Sequence, residues 1–211
     1  MATSKKKMGP AIGKIGKTVS YWLKGQWVTR TIGINTKKAT VLQFAIRQIT
    51  RLIANLLRPV KNFIKIGFAL EAENTTMYPY NKAVSENYFN AIKGEYPNIE
   101  IDYPKAVFSK GKMPVNTEAS TELGPEGITF KWDSKIMLRG MHPNDRVMML
   151  AYCPEKKYAF FDPDGARRQE GSDFLRMVKY PEPVIVHTYI AFIAANKRGI
   201  STTHYTGEFL W

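Results

Sequence analysis

No aspartate or glutamate occurs in the first seventy residues of this chain; the first acid is Glu71. Cysteine is nearly as scarce. Cys153 is the only one, which excludes an internal disulfide and a cysteine metal cluster. No apolar run approaches the roughly eighteen residues of a membrane-spanning helix. Lys14 and Lys17 break any apolar stretch behind Lys5-Lys6-Lys7, so no secretory signal is expected either. The expected location is the cytoplasm, or a particle with which the protein associates after release. What remains is a chain of 211 residues, 44% hydrophobic, 12% aromatic and 23% charged, which is the composition of a folded globular protein.

The charge is placed unevenly. Fourteen of the 31 Lys and Arg lie within residues 1–70, and all 18 Asp and Glu follow them. The whole net charge of +13 therefore belongs to the first third. A field of one sign attracts polyanions and speaks to partners rather than to fold. A solvated basic surface that aids solubility is the plainer reading, although solubility alone would tolerate mixed signs.

Residues 1–17 are rich in Lys and Gly and read as an extended basic arm. Gly13-Lys14 lies four positions after Gly9, but no strand precedes it and Ile15 stands where a phosphate-binding loop needs a hydroxyl. Residues 18–32 read as a β-hairpin turned at Lys24-Gly25, with Trp22 opposite Trp27 and Tyr21 opposite Val28. The tryptophans have two readings: a stacking platform for bases, flanked by Lys17, Lys24 and Arg30, or anchors that hold the hairpin.

Over 39–66, Leu42, Ile46, Ile49, Ile53, Leu56, Val60 and Phe63 recur at alternating intervals of four and three, which predicts one apolar helical stripe. Arg47, Arg51, Arg58 and Lys65 lie roughly 140–180° from that seam. This basic side reads as the solvated face of a core helix, a polyanion track or a membrane-surface helix. Pro59 predicts a kink or a split. A second helix is expected after the 71–80 loop, capped by Asn81, with Val84, Tyr88, Ala91 and Ile92 on its apolar face and Gly94 at its end.

Beyond residue 101 the pattern changes to short alternating runs punctuated by turn residues. Strands are expected over 105–109, 127–132, 146–153, 158–161, 174–178, 184–194 and 200–205, about the number of an immunoglobulin-like sandwich. The fold class is thus α+β: a basic arm and hairpin over 1–38, a helical segment over 39–100 and an antiparallel sandwich over 101–211.

Catalytic signals are few. His142, His187 and His204 are far apart and form no metal-ligand spacing. Cys153 precedes Pro154 without a nucleophile signature. Asp162-Pro163-Asp164-Gly165 reads as a turn rather than a calcium loop. No cofactor is indicated, and a protein without enzymatic activity is expected.

Certain motifs together resemble a domain-of-unknown-function family from Bacteroidota bacteria. Gly13-Lys14-Ile15-Gly16 comes first, then Trp22 with Lys24-Gly25 and Arg30, then an apolar helix. Asn81-Lys82-Ala83, Asn87, the run from Ala91 to Pro97 and Ile101-Asp102-Tyr103 follow. Ser109-Lys110-Gly111, Phe130-Lys131-Trp132, and Ser201 with Tyr205-Thr206-Gly207 complete the likeness. The resemblance implies a compact unit with a basic N-terminal segment and carries over no activity. The residues themselves favour binding of DNA or RNA through backbone charge and shape, by Lys5, Lys6, Lys7, Lys14, Lys17, Lys24, Arg30, Arg47, Arg51 and Arg58, with Trp22 and Trp27 stacking or docking. The alternative is an assembly subunit of a phage-like or other particle whose arm docks on a neighbour. An acidic protein surface would serve as the partner there, and a homo-oligomer is compatible with either.

Overall fold

A computed structural model of the protein describes residues 11–34, 36–115 and 118–211. Lys5, Lys6 and Lys7 lie outside the described residues. The chain divides into two compact units, Met1–Thr40 and Val41–Trp211.

In the first unit, β1 (Gly13–Ile15), β2 (Thr18–Leu23) and β3 (Gln26–Thr31) form an antiparallel sheet in sequence order. The hairpin has the expected register, with Trp22 opposite Trp27 and Tyr21 opposite Val28. Lys24 and Gly25 take φ of 46° and 81°, the positive pair of a two-residue turn whose twist suits the strands. The expected arm ends earlier than residue 17. Gly16, at φ 56°, reverses the chain, and Gly13, Lys14 and Ile15 pair with Ser20, Val19 and Thr18.

In the second unit the apolar stripe becomes α1 (Val41–Leu57) and α2 (Lys61–Gly67). The break at 58–60 contains Pro59, which lacks the N–H that a continuing helix needs. A short α3 (Ala69–Ala72) and then α4 (Pro79–Asn90) follow. Asn81 does not cap α4. Tyr78 holds the cap position with extended backbone, because Pro79, with its fixed φ and no N–H, suits the first helical residue. Ala91 closes the helix, and Ile92 passes into β4 (Ile92–Lys93), which pairs with β5 (Glu100–Ile101).

The remaining strands are β6 (Ser120–Gly124), β7 (Gly127–Lys131), β8 (Arg146–Cys153), β9 (Tyr158–Asp162), β10 (Ser172–Arg176), β11 (Ile185–Ile193) and β12 (His204–Leu210). They form two antiparallel sheets, β10-β7-β6 and β12-β11-β8-β9. The fold is α+β. The constant-type immunoglobulin plan seats the fourth strand of seven beside the fifth; here the fourth, β9, pairs with β8.

Three strand expectations need correction. Residues 105–109 are not a strand, because side chains satisfy their backbone. Asn87 Oδ1 accepts from Val107 N at 2.9 Å, and Thr203 Oγ1 accepts from the N–H groups of Phe108 and Ser109 at 3.1 and 2.6 Å. β6 takes the vacant place in the count. The last strand begins at His204, while Ile200 and Ser201 make only isolated bridges.

The four-stranded sheet is the middle layer. Met148, Leu150 and Tyr152 of β8, with Tyr189, Ala191 and Ile193 of β11, join Ile53, Leu56, Phe63 and Ile64 in a core beneath the helices. Val147, Met149, Ala151 and Cys153, with Val186, Ile190 and Phe192, join Ile128, Phe130 and Leu175 between the sheets. Both faces of β8 and β11 are covered, which explains their nearly unbroken apolar sequences. One charged pair lies inside: Arg168 and Asp145, 0% and 2% exposed, meet at 3.2 Å. The Arg168 guanidinium also lies 3.7 Å from the Phe192 ring centroid.

Candidate polyanion-binding surface

Each unit carries its own share of cations. In the first, strand alternation places Trp22, Trp27, Ser20 and Thr29 on one face, where Ser20 Oγ and Thr29 Oγ1 lie 2.8 Å apart. Lys14, Val19 and Arg30 form a row across the other face. The sheet therefore separates Lys14 and Arg30 from the tryptophans. Lys17 and Lys24 lie in the turns at opposite ends of β2, roughly 20 Å apart at strand rise. The tryptophan rings sit 5.6 Å apart at 57°. Trp27 is half-buried and its Nε1–H has no partner among the described residues, whereas Trp22 is 60% exposed. The two rings thus differ in exposure, with Trp22 the more open to solvent.

In the second unit Arg47 and Arg51 stand one turn apart on α1, Arg58 follows at the break, and Lys61 and Lys65 stand one turn apart on α2. All five are exposed. Arg47 lies 5.8 Å from the Phe44 ring centroid and Lys61 lies 5.6 Å from that of Tyr80; these contacts leave the cations charged and near water. Among the described residues, Arg51, Arg58 and Lys65 make no ion pair, and the salt bridges present use cations from Lys93 onward. Periodicity placed Arg47 and Arg51 on the exposed side of α1. Arg58 lies in the break and Lys61 and Lys65 lie beyond it on α2, where the turn at Pro59 resets the helical phase, so their exposure comes from the structure and not from the seam.

The apolar seam of α1 is covered only in part. Ile53 and Leu56 are buried, but Val41 and Leu42 are each 69% exposed, and Phe44 and Ile46 are exposed as well. The first turns of α1 therefore present apolar and basic side chains together.

The other reactive groups are accounted for within the fold. Cys153 is buried between the sheets, and burial, with the charge of Glu155 adding, pushes its thiol up to about 11, far above the range of a reactive thiolate. His187 is buried beside Tyr205, His142 is exposed and His204 opens β12. Among the described residues no group of three His, Cys, Asp or Glu is placed to hold a metal, and no helix is long and apolar enough to cross a membrane. The Arg168–Asp145 pair gave no sequence signal: its partners are 23 residues apart, in segments that read as turns.

No curated protein and no solved structure matches the chain. From the basic arm into β12, residues 3–207 match DUF6266, a family of unknown function, and the chain belongs to that family.

Proposed function

We propose that this protein is a non-enzymatic polyanion binder that holds DNA or RNA without reading its sequence, through its acid-free N-terminal third. The observation that carries the reading is the row of exposed cations on α1 and α2, of which Arg51, Arg58 and Lys65 have no acidic partner among the described residues. Solvated, and unpaired among the described residues, these cations hold counterions that binding to a phosphate backbone would release. Cytoplasm, or a particle after release, is the setting such binding would suit.

The test is fluorescence anisotropy with a duplex DNA and a single-stranded RNA of mixed sequence. Affinity should fall by about 10³–10⁵ between 50 and 200 mM salt if six to ten phosphates are met. Replacing Arg47, Arg51 and Arg58 together by Gln should flatten the log–log salt slope by about two to three. Absence of binding at 50 mM salt, or binding that salt does not weaken, would overturn the reading.

One observation favours a second reading, an assembly subunit: the uncovered Val41, Leu42 and Trp22 are apolar surface of the kind that meets another chain. Deletion of residues 2–17 separates the two. Weaker nucleic-acid retention with a lower salt slope at unchanged particle size supports the first, and collapse of a large assembly to monomers supports the second.

A further inference from the structure

A cleft of about 430 Å³ opens between α2, α3 and the connection from β11 to β12, within the size range of small-molecule sites. Its lining is mainly aliphatic, with Ile66, Ala69, Leu70, Ile193 and Ile200, and Asn62, Lys65 and Lys197 complete it. Among the described residues no carboxylate and no aromatic ring lines it, and neither lysine forms an ion pair. Two lysines and four large aliphatic side chains lining one cleft suit an anion with an alkyl body. The lack of aromatic rings argues against a stacked base and against a caged cation.

Lys197 is held at the cleft by its turn. It sits at φ 58°, a left-handed conformation that glycine or asparagine adopts more cheaply. The turn is fixed around it: Lys197 N donates to Ala194 O at 2.8 Å, Ala194 N donates to Gly199 O at 2.8 Å, and Arg198 N donates to Asn196 Oδ1 at 2.9 Å. The turn therefore fixes the Lys197 backbone at the edge of the cleft.

We infer that this cleft binds a free medium-chain alkyl carboxylate, with its tail on the four aliphatic residues and its carboxylate between Lys65 and Lys197. The site is distinct from the nucleic-acid reading, although Lys65 borders both, so the test uses Lys197.

Calorimetry on the full chain with hexanoate, octanoate and decanoate, all below micelle-forming concentrations, should give saturable one-to-one binding that tightens about fourfold per added methylene. Decanol and decyltrimethylammonium should bind at least tenfold more weakly than decanoate. Lys197→Asn, which suits the turn, should weaken decanoate about two- to fivefold, and Lys197→Glu should weaken it further. Ala69→Trp, which fills the cleft from α3, should abolish binding while thermal unfolding stays cooperative. The Arg47, Arg51 and Arg58 triple variant should bind decanoate as the unaltered chain does, even where its nucleic-acid binding is lost. Affinity independent of chain length, equal binding of decanol, unchanged binding by Ala69→Trp, or retention on phosphatidylglycerol vesicles without binding of free decanoate would each overturn the inference.

Discussion

His187 stacks on Tyr103 with ring centroids 4.0 Å apart and planes 13° from parallel, and its Nδ1 lies 3.1 Å from the Tyr205 hydroxyl. Glu208, on the paired strand β12, is the nearest opposing charge at 3.7 Å. Burial holds the imidazole below its ordinary value near 6.5, with Glu208 opposing the shift in part. The unfolded chain therefore takes up this proton first as pH falls. Stability is lost as pH drops through about 6.5 and continues to fall until the folded ring also protonates, with a slope of at most about 1.4 kcal/mol per pH unit from this one group. Above that window the ring is neutral in both states and contributes no slope. Urea midpoints of the native chain should decline between pH 7 and 5.5, and His187→Gln, which can still meet Tyr205, should decline less. Equal declines in the two proteins would show that His187 is not the group responsible.

Asn87 links an element to a segment that sequence misread. Its Nδ2 donates to Val107 O at 2.7 Å and to Ala83 O at 2.9 Å, and its Oδ1 accepts from Val107 N. A fully buried amide on α4 thus does for 106–108 what a neighbouring strand would do. Asn87→Leu keeps the volume and strands both Val107 groups, so it should cost about 2–5 kcal/mol in unfolding free energy. Ser85→Ala, on the exposed side of the same helix, should cost well under 1 kcal/mol. The same residues explain what the sequence made legible. β7, β8, β9 and β11 were readable because apolar residues recur along them, and the Trp22–Trp27 register because a Lys-Gly turn fixes it. The segment at 105–109 was misread because its short apolar run Ala106-Val107-Phe108 resembles a buried strand, while its hydrogen bonds go to Asn87 and Thr203, 20 and 95 residues from the groups they satisfy. β6 escaped because Ser-Thr-Glu-Leu-Gly has only one large apolar residue. In the candidate site, the pair Arg47 and Arg51 was visible as periodicity. The cleft was not, since Lys65 and Lys197 come together only when the sandwich packs on the helices.

At the scale of the molecule, charge and core are divided differently along the chain. Lys5, Lys6, Lys7, Lys14, Lys17, Lys24, Arg30, Lys37 and Lys38 precede Val41, yet among the described residues the fully buried members of the two cores of the second unit begin at Ile53. Removing 1–40 should therefore leave the folding of the rest intact while removing most of the excess charge. A fragment of residues 41–211 is expected to unfold in one cooperative transition, with a midpoint within about 3 °C of the full chain, because every described member of the two cores lies within it. Nucleic-acid binding should weaken in proportion to the phosphates that the missing cations met, with the salt slope falling by about 0.9 for each. The remaining slope should belong to Arg47, Arg51, Arg58, Lys61 and Lys65, so adding the triple Gln substitution to the fragment should take away most of it. Octanoate and decanoate binding should be unchanged in the fragment, since every residue of the cleft lies within it. A fragment that melts broadly or far below the full chain would mean that residues 1–40 share in the core. A well-folded fragment with an undiminished salt slope would place the polyanion contacts elsewhere, because nine cations cannot be lost from a working electrostatic surface without changing how salt competes for it.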